Sequence, residues 1–291
     1  MNQEKKPSYD LILLAGSDNK SGKPSFEEEI GGKSLIEWVL ESLSAASSVS
    51  RIFAVGPVNV VGKYLDKVGK EIRAVESNQS FWRNLELGID TQQKHGSGQR
   101  VLIAYSDLPF LQSHTIDRFA EEGNVGEIAV PLVPQSAFLA LKGIYESYYW
   151  PMREFPFKWG DLTHTNVSVV DNEISQFADE YRRTWTDVRI KTIWKRLALL
   201  SKYGGTEAMF TLGVNYFSKA LQMKRSWKAI PLSNLRTLDQ YQRLLARSVG
   251  ADLRLVKAPY VDFALDVDNE NRLALFRRGH KQMRAAIELA D

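Results

Sequence analysis

The sequence predicts an α/β protein with a mostly parallel sheet, and two observations support this. In the first half of the chain, short apolar and β-branched segments of strand length alternate with longer amphipathic segments of helix length. Such alternation builds βαβ units with right-handed crossovers. The chain has 291 residues, of which 44% are hydrophobic and 25% charged. This composition is ordinary for a globular protein, and the length is enough for a full hydrophobic core.

The first predicted strand, Tyr9–Ala15, is a run of apolar residues typical of a strand buried on both faces. A turn of small residues follows it, and a polar loop then leads through Gly31–Ser34 into an amphipathic helix predicted at Leu35–Ala46. A parallel strand that ends in a glycine-bearing loop before a helix can hold phosphate with backbone N–H groups. Packing alone also produces this pattern, so both interpretations stay open.

The remaining predicted elements continue the alternation and then become less regular. In the first half, strands are expected at 51–55, 72–75, 101–105 and 128–133, and helices at 58–68, 81–93 and 114–121. In the second half, we expect a turn at 160–165, strands at 166–170 and 253–257, and helices at 190–203, 206–221, 238–248 and 270–289. Ligands of parallel sheets bind beyond the carboxyl ends of the strands. The loops after Ala15, Val75 and Tyr105 are therefore expected to share one crevice.

Composition excludes several classes of protein. The chain has no cysteine, so disulfides, thiolate metal sites and cysteine nucleophiles are excluded. The net charge of +3 and the pI near 8.9 are too mild to indicate nucleic acid. The polar N-terminus is unlike a signal peptide, and no apolar run reaches the ~20 residues of a membrane span. We therefore expect a cytoplasmic protein with no nucleic-acid partner; the oligomeric state is not determined.

Two segments of the second half allow more than one interpretation. Residues 136–159 are rich in aromatic side chains, which can serve base stacking. Their spacing suits a buried helix and the loop that follows it, so core packing is favoured. Residues 182–228 carry an excess of Lys and Arg, which suits a polyphosphate, an acidic substrate, a membrane surface or solvated helix faces. The amphipathic stretch from Arg189 to Leu200 leaves peripheral membrane contact open, although packing against the sheet is the favoured interpretation.

Acidic residues follow predicted strands at two places. Asp107 comes directly after the strand at 101–105, and Asp262, Asp266 and Asp268 precede the last helix. Carboxylates that meet at strand ends can hold Mg²⁺, which needs only one or two of them because phosphate and water complete its octahedron. Asp268 also suits a helix N-cap, and Asp107 suits a cap of the next turn.

Motifs of other enzyme classes are missing from the sequence. There is no G-x-S-x-G nucleophile elbow, no G-x-x-x-x-G-K-[ST] phosphate loop and no G-x-G-x-x-G after a strand. The four histidines show neither metal-ligand nor triad spacing. These absences argue against serine hydrolases, P-loop NTPases and nicotinamide dehydrogenases.

The segments LLAG, GGKSLIEWVLESL, SFWRNLELGI, VLIAYSDLPFL and DVDNENRLALF together resemble the MobA-like NTP transferase family. That family includes molybdenum-cofactor guanylyl- and cytidylyltransferases and sugar-phosphate nucleotidyltransferases. Thr163–Asn166 corresponds to a TGGN-like turn of one of its branches. The resemblance implies a GT-A-like fold, a Rossmann-like three-layer α/β/α sandwich. It also implies one domain over 1–291, with a nucleotide-binding half at 9–135 and an acceptor-binding half with extra helices at 136–291.

The resemblance further implies a function and its residues. The expected reaction is Mg²⁺-dependent transfer of NMP from an NTP to an anionic, phosphorylated small molecule, with release of pyrophosphate. The residues expected to contact the nucleotide are Ala15, Gly16, Ser17, Ser80 and Asn84, with Asn78 close by. Asp107 is the expected Mg²⁺ ligand, with Asp266 as the first choice for a second ligand and Asp262 as the next.

The first loop departs from the family pattern LAGGxSxRMGxxK. The second glycine is replaced by Ser17, the loop arginine is missing, and the usual lysine position falls on Ser25. Lys23 is the expected catalytic substitute, with Lys20 as another candidate. Two alternatives therefore remain: a non-catalytic nucleotide-binding or scaffold protein on the same fold, and a GT-A glycosyltransferase. The latter class usually carries Asp-x-Asp where this chain has the single acid Asp107.

Overall fold

A computed structural model describes residues 7–15, 25–65, 68–78, 80–147, 149–150, 152–170 and 237–289. The helices predicted at 190–203 and 206–221, and the basic segment 182–228, lie outside these residues. In the part of the chain described, no helix has both the length and the apolar character needed to cross a membrane.

In the part of the chain that the structure describes, ten strands form one large sheet and one small hairpin. Their bounds are β1 Tyr9–Leu14, β2 Glu29–Ile30, β3 Lys33–Ser34, β4 Val49–Gly56, β5 Glu71–Glu76, β6 Arg100–Tyr105, β7 Ile128–Pro134, β8 Phe157–Trp159, β9 Leu162–Asn166 and β10 Leu253–Lys257. The eight-stranded sheet has the order β10-β7-β9-β6-β1-β4-β5, with β8 paired to β7. β9 and β8 are antiparallel to their neighbours, whereas the other pairs are parallel. The sheet is therefore mostly parallel, as predicted.

The described residues form six α-helices: α1 Leu35–Ala45, α2 Val58–Leu65, α3 Phe81–His95, α4 Ser113–Glu122, α5 Leu238–Val249 and α6 Glu270–Glu288. Helix α1 begins with a capping box. The Ser34 N–H and hydroxyl donate to the Glu37 carboxylate, and the Ser34 side chain accepts the Glu37 backbone N–H. A Ser-x-x-Glu sequence before an apolar run is a helix-start signal, so the sequence predicts this boundary.

The helices lie on both faces of the sheet, which makes three layers. On one face, side chains of β1 such as Leu11 and Leu13 pack with α1, α4 and α6 in the larger core cluster. On the other face, Ile12 and Leu14 pack with Leu85 and other residues of α3. Alternate residues of β1 thus enter opposite cores, and β1 is buried at every position. The predicted three-layer α/β/α sandwich is confirmed.

Two predicted elements of the middle region are wrong. The strand expected at 166–170, after a turn at 160–165, is instead β9 at Leu162–Asn166, and a 3₁₀ helix occupies Val167–Val169. Thr163–Asn166 therefore lie in a strand, and not in a turn. The structure also places a 3₁₀ helix at Gln135–Leu141, where a buried α-helix was expected. Helix α2 ends at Leu65, and Val68 lies outside it.

Asp10, near the start of β1, carries a buried polar network on the edge opposite the carboxyl ends of the strands. Its carboxylate accepts hydrogen bonds from Ser50 Oγ (2.8 Å), from the Ser97 backbone N–H (2.5 Å) and from Gln92 Nε2 (3.1 Å). Arg51 Nε lies 3.2 Å from the same carboxylate, which is fully buried. A buried carboxylate is tolerated only when it is paired in this way. Because its partners lie in β4 and α3, the network ties both elements to β1.

Candidate active site

The carboxyl ends of β1, β4 and β6 meet through backbone hydrogen bonds. The N–H of Ala15 donates to the Val55 carbonyl of β4 (2.8 Å), and the N–H of Ser106 donates to the Leu14 carbonyl of β1 (3.1 Å). Ala15 and Ser106 therefore lie at the same edge of the sheet. A crevice shared by the loops after Ala15 and Tyr105 stays a prediction, because residues 16–24 lie outside the described residues.

The loop after β5 reaches the same edge. Asn84, which is 3% exposed, accepts the Asn78 N–H with its Oδ1 atom (2.5 Å). Ser80 is the N-cap of α3, and its Oγ accepts the Arg83 N–H (3.2 Å). The hydrogen bonds of Asn84 and Ser80 thus fix the shape of this loop.

An aromatic contact joins the loop after β5 to the end of β6. The ring of Phe81, at the start of α3, stacks on the ring of Tyr105, with centroids 5.8 Å apart and planes 14° apart. Ser80, next to Phe81, is therefore held close to the strand that leads into Asp107. The predicted positions Ser80, Asn84 and Asp107 belong to one edge of the sheet.

The late acidic segment lies directly against the end of β6. The Val267 N–H donates to the Asp107 carbonyl (3.0 Å), which places Asp266 and Asp268 on either side of the bonded residue. Asp107 and Asp266 are separated by 159 positions in the sequence, yet the structure brings them together. The sequence singled out both, and this bond explains how they meet.

Asp161 is an acidic residue of this site that sequence reasoning missed. It lies in the turn between β8 and β9, and its N–H donates to the Phe263 carbonyl (2.7 Å). The preceding residue, Gly160, approaches its neighbours closely: a Cβ there would lie 2.8 Å from Pro131 Cγ and 3.1 Å from Phe263 Cβ. The pair Gly160-Asp161 before a strand was the available signal, because a glycine of this kind marks close approach of the backbone.

The charges of these acids act on one another, which indicates that the acids lie in one environment. Burial raises the pKa of Asp161 well above its usual range, and the charges of Asp266 and Asp107 raise it further. Burial also raises the pKa of Asp268, and Asp266 adds to that effect. The four carboxyl groups therefore form one acidic cluster, defined as Asp107, Asp161, Asp266 and Asp268.

Lys158, in β8, is a cation of the acidic cluster that the sequence analysis did not single out. Its Nζ atom donates to Tyr145 Oη (2.8 Å) and to the Ala264 carbonyl (2.8 Å), and it lies 3.6 Å from Asp266 Oδ1. Burial lowers the pKa of Lys158, but Tyr145 and Asp266 more than offset this, so the pKa lies above its usual range. Lys158 is therefore held in its charged form beside the acids.

Asp262 has a different place from the other acids. Its side chain is 1% exposed, and Oδ2 accepts the Gln112 N–H (3.0 Å) and the Thr115 hydroxyl (2.6 Å). Asp262 therefore binds the beginning of α4. The predicted N-cap role of Asp268 is wrong, because the N-cap of α6 is Asn269, whose side chain accepts the Arg272 N–H (3.0 Å).

Three predicted site residues, Gly16, Ser17 and Lys23, lie outside the described residues. Among the residues that the structure does describe, no group of three or more His, Cys, Asp or Glu side chains is arranged to hold a metal ion. Any site for Mg²⁺ in this part of the chain would therefore rest on one or two carboxylates, which is the number Mg²⁺ commonly takes from a protein.

Two cavities lie apart from the acidic cluster. A cavity of about 250 Å³ lies between α1, the start of α4 and the end of α6, beside Trp38, Gln112 and Arg284. A second, of about 410 Å³, lies near the C-terminal end of α3, beside Gln92 and Asn166. Neither is lined by a residue that the sequence predicts for the site.

The comparisons with known proteins agree with this architecture. Residues 11–151 match the model of the MobA-like NTP transferase domain, which confirms the predicted family resemblance. None of the curated proteins matches the chain.

Two solved structures have the same fold. A hypothetical transferase from Thermus thermophilus is 22% identical, with a TM-score of 0.64, over 91% of this chain and 99% of its own. The 4-diphosphocytidyl-2C-methyl-D-erythritol synthase from Anaerococcus prevotii is 11% identical, with a TM-score of 0.52, over 95% of this chain and 99% of its own. At these identities the likeness concerns the fold alone, and it agrees with the predicted three-layer α/β/α sandwich.

Proposed function

We propose that this chain, which carries a MobA-like NTP transferase domain over residues 11–151, is a Mg²⁺-dependent nucleotidyltransferase. It transfers NMP from an NTP to a phosphorylated small molecule and releases pyrophosphate. The observation that carries this proposal is the hydrogen bond from the Val267 N–H to the Asp107 carbonyl, because it joins two acidic segments at the ligand-binding edge of the sheet.

The carboxylates of Asp107 and Asp266 suit Mg²⁺. Both supply hard oxygen ligands, and two protein carboxylates leave the remaining positions of an octahedral ion to phosphate and water. We take Asp266 and not Asp262 as the partner of Asp107, because the Asp262 carboxylate already accepts two hydrogen bonds at the start of α4. When bound, Mg²⁺ would neutralise phosphate charge during the transfer.

The reaction forms one bond to phosphorus and breaks another. An oxygen of the acceptor phosphate attacks the α-phosphorus of the NTP, the bond from that phosphorus to the α–β bridging oxygen breaks, and pyrophosphate leaves with the bond's electron pair. We assign the phosphate contacts to Ala15, Gly16 and Ser17, and stabilisation of the leaving charge to Lys23. Fixed positive groups that meet developing negative charge are an effective source of rate enhancement.

The loop after β5 is proposed to contact the nucleoside. Ser80 and Asn84 hold this loop at the same edge as Asp107, through the Arg83 and Asn78 N–H groups. The acceptor is assigned to the half from 136 to 291, whose excess of Lys and Arg over 182–228 suits an anionic molecule.

The test measures pyrophosphate release and nucleotide-dependent stability in the same samples. The full chain is mixed with CTP, GTP, ATP or UTP, with and without MgCl₂, and with a panel of sugar phosphates and alcohol phosphates. We expect one NTP to raise the melting temperature only with Mg²⁺, since a ligand at a hundredfold excess over its Kd stabilises by about 2.7 kcal/mol. Nucleotide binding without pyrophosphate release across the panel would favour the non-catalytic alternative.

Asp107→Asn tests the metal assignment. This variant keeps the shape of the side chain but removes the charge, so we expect turnover to fall by roughly 10³-fold, the range set by loss of several kcal/mol of metal-based stabilisation. The matched control is Asp90→Asn on the exposed face of α3, which should leave turnover unchanged. Normal turnover in Asp107→Asn, with an unchanged melting temperature, would refute the assignment.

A further inference from the structure

Lys158 is the nearest cation to Asp266 in the described part of the acidic cluster. Its Nζ atom lies 3.6 Å from Asp266 Oδ1, and its side chain is only 14% exposed. The charges of Asp266, Asp107 and Asp268 all act on Asp161 in the same environment. Without a positive partner, several carboxylates at such close quarters would repel one another strongly.

The hydrogen bonds of Lys158 do not cancel its charge. Two of its donors are taken by Tyr145 Oη and the Ala264 carbonyl, which are neutral acceptors at 2.8 Å each. These bonds hold the ammonium in one position. Its positive charge therefore remains available to the acids, and it faces Asp266.

A second positive group, Arg272, also acts on the acidic cluster, because its charge lowers the pKa of Asp268 against the larger effect of burial. The Arg272 guanidinium lies 4.3 Å from the centroid of the Tyr145 ring and donates to the Glu146 carbonyl (3.0 Å). Arg272 lowers the pKa of Lys158 to some degree, whereas Asp266 raises it. Lys158 and Arg272 therefore both act on the acidic cluster, and Lys158 is the one that pairs with Asp266.

We propose that Lys158 is the resident counter-ion of the acidic cluster and makes binding of a divalent cation depend on nucleotide. The proposal rests on the function proposed above, in which Asp107 and Asp266 hold Mg²⁺. Before nucleotide arrives, the ammonium partly satisfies Asp266 and repels a second cation. The triphosphate brings enough negative charge to offset that repulsion, so the metal enters together with the nucleotide.

Lys158 has two opposing effects on the affinity for a divalent cation, and the larger one decides whether that affinity rises or falls. The ammonium helps to orient Asp266, which favours a metal, and it repels a divalent ion on the same carboxylate. Ordering one short side chain changes affinity by a factor of a few. Repulsion between a unit charge and a double charge in a half-buried site changes the affinity several times more than this ordering does, even with an effective dielectric constant of about 20. Repulsion therefore wins.

The experiment measures binding of Mn²⁺ to the full chain by electron paramagnetic resonance, with MnCl₂ alone and with each of the four NTPs. In Lys158→Met, which keeps the length of the side chain without its charge, we expect the Kd for free Mn²⁺ to fall by at least about tenfold. Lys158→Gln, which keeps hydrogen-bond donors for Tyr145 and Ala264, should show the same fall in the Kd for free Mn²⁺. This second variant tests the proposal if Lys158→Met does not fold.

Two control variants separate charge from structure. Lys158→Arg keeps the positive charge and should bind free Mn²⁺ as weakly as the wild type. Lys142→Met makes the same change at an exposed lysine after the 3₁₀ helix, and it should leave Mn²⁺ binding unchanged.

Several results would overturn the proposal. Weaker or unchanged binding of free Mn²⁺ in both neutral variants would show that Lys158 orients Asp266 and does not repel the metal. Wild-type binding of Mn²⁺ that is equally tight with and without NTP would contradict the dependence on nucleotide. If Mn²⁺ binding follows the expected pattern but pyrophosphate is never released, the counter-ion role is supported and the transferase proposal fails on its own.

Discussion

His164 makes the stability of the fold sensitive to mild acid. It lies in the middle of β9, paired with Leu102 of β6 and Ala129 of β7, and its side chain is fully buried. Its ring meets the ring of Tyr9 edge to face at a centroid distance of 4.4 Å. Burial and the positive charge of Arg100 lower the pKa of His164 to about 4, against a smaller opposing effect of the Gly123 backbone.

The sign and size of the effect follow from this pKa. In the unfolded chain a histidine has a pKa of about 6.5, so below that pH the unfolded state binds a proton that the folded state does not bind. The stability held by neutral His164 is therefore complete above pH 6.5 and is lost as the pH falls from 6.5 towards 4. A difference of about 2.5 pKa units corresponds to roughly 3 kcal/mol, because each unit is worth 1.36 kcal/mol.

The assay is urea unfolding at pH 7, 6, 5 and 4, for the wild type and for His164→Phe. The phenylalanine keeps a ring against Tyr9 but cannot take up a proton. Between pH 7 and pH 4, we expect the free energy of unfolding of the wild type to fall by about 3 kcal/mol more than that of the variant. The carboxyl groups titrate alike in both proteins. His95→Phe, at an exposed site on α3, should follow the wild type. Parallel pH profiles for the wild type and His164→Phe would refute the reasoning.

Two further predictions concern the core. Asp10→Ala leaves Ser50, Gln92 and the Ser97 N–H without their buried acceptor, and should lower the unfolding free energy by about 3 kcal/mol in urea; a loss below about 1 kcal/mol would contradict this role. Gly88→Ala should destabilise by about 1–3 kcal/mol, because its Cβ would lie 2.6 Å from Ile12 Cγ2. Gly62→Ala is its matched control, because a Cβ there has nothing within 4 Å. The higher helix propensity of alanine should stabilise the protein by up to about 1 kcal/mol. Equal effects at the two glycines would disprove the packing argument.

Sequence reasoning succeeded where a pattern is local. The strand Tyr9–Leu14 is apolar except for Asp10, and it is buried at all six positions. Helix α1 begins where Ser34 and Glu37 form a capping box, and α5 ends at Gly250 in the left-handed conformation with φ of 72°. In each case neighbouring residues carry both the signal and the physical cause.

β9 was misplaced because its burial does not come from apolar residues. The strand reads Leu-Thr-His-Thr-Asn, and His164 and Thr165 are buried between β6 and β7. A pattern method expects polar residues of this kind in a turn or on a solvated face. Tertiary pairing on both sides overrides that preference, so only the sheet order reveals the strand.

The site itself was predicted in part, for a related reason. Asp107 and Asp266 stand out because acids follow a strand or precede a helix, and both lie at the predicted edge. Lys158 carries no such local signal, and Asp161 is marked only by the glycine that precedes it. They reach the acids only because β8 and β9 run antiparallel to the rest of the sheet and return the chain to the end of β6.

The two halves of the candidate site have different physical origins. The segment that carries Asp266 is fixed by backbone hydrogen bonds on both sides: Phe263 accepts the Asp161 N–H, and Val267 donates to the Asp107 carbonyl. Backbone bonds of this kind form with the sheet and need no particular side chain at the bonded positions. The acidic cluster is therefore a consequence of the fold, whereas the proposed phosphate contacts depend on residue identity in the loop that contains Gly16, Ser17 and Lys23. Substitution in that loop can alter phosphate binding while the carboxylates stay in place, so metal binding and turnover must be measured separately.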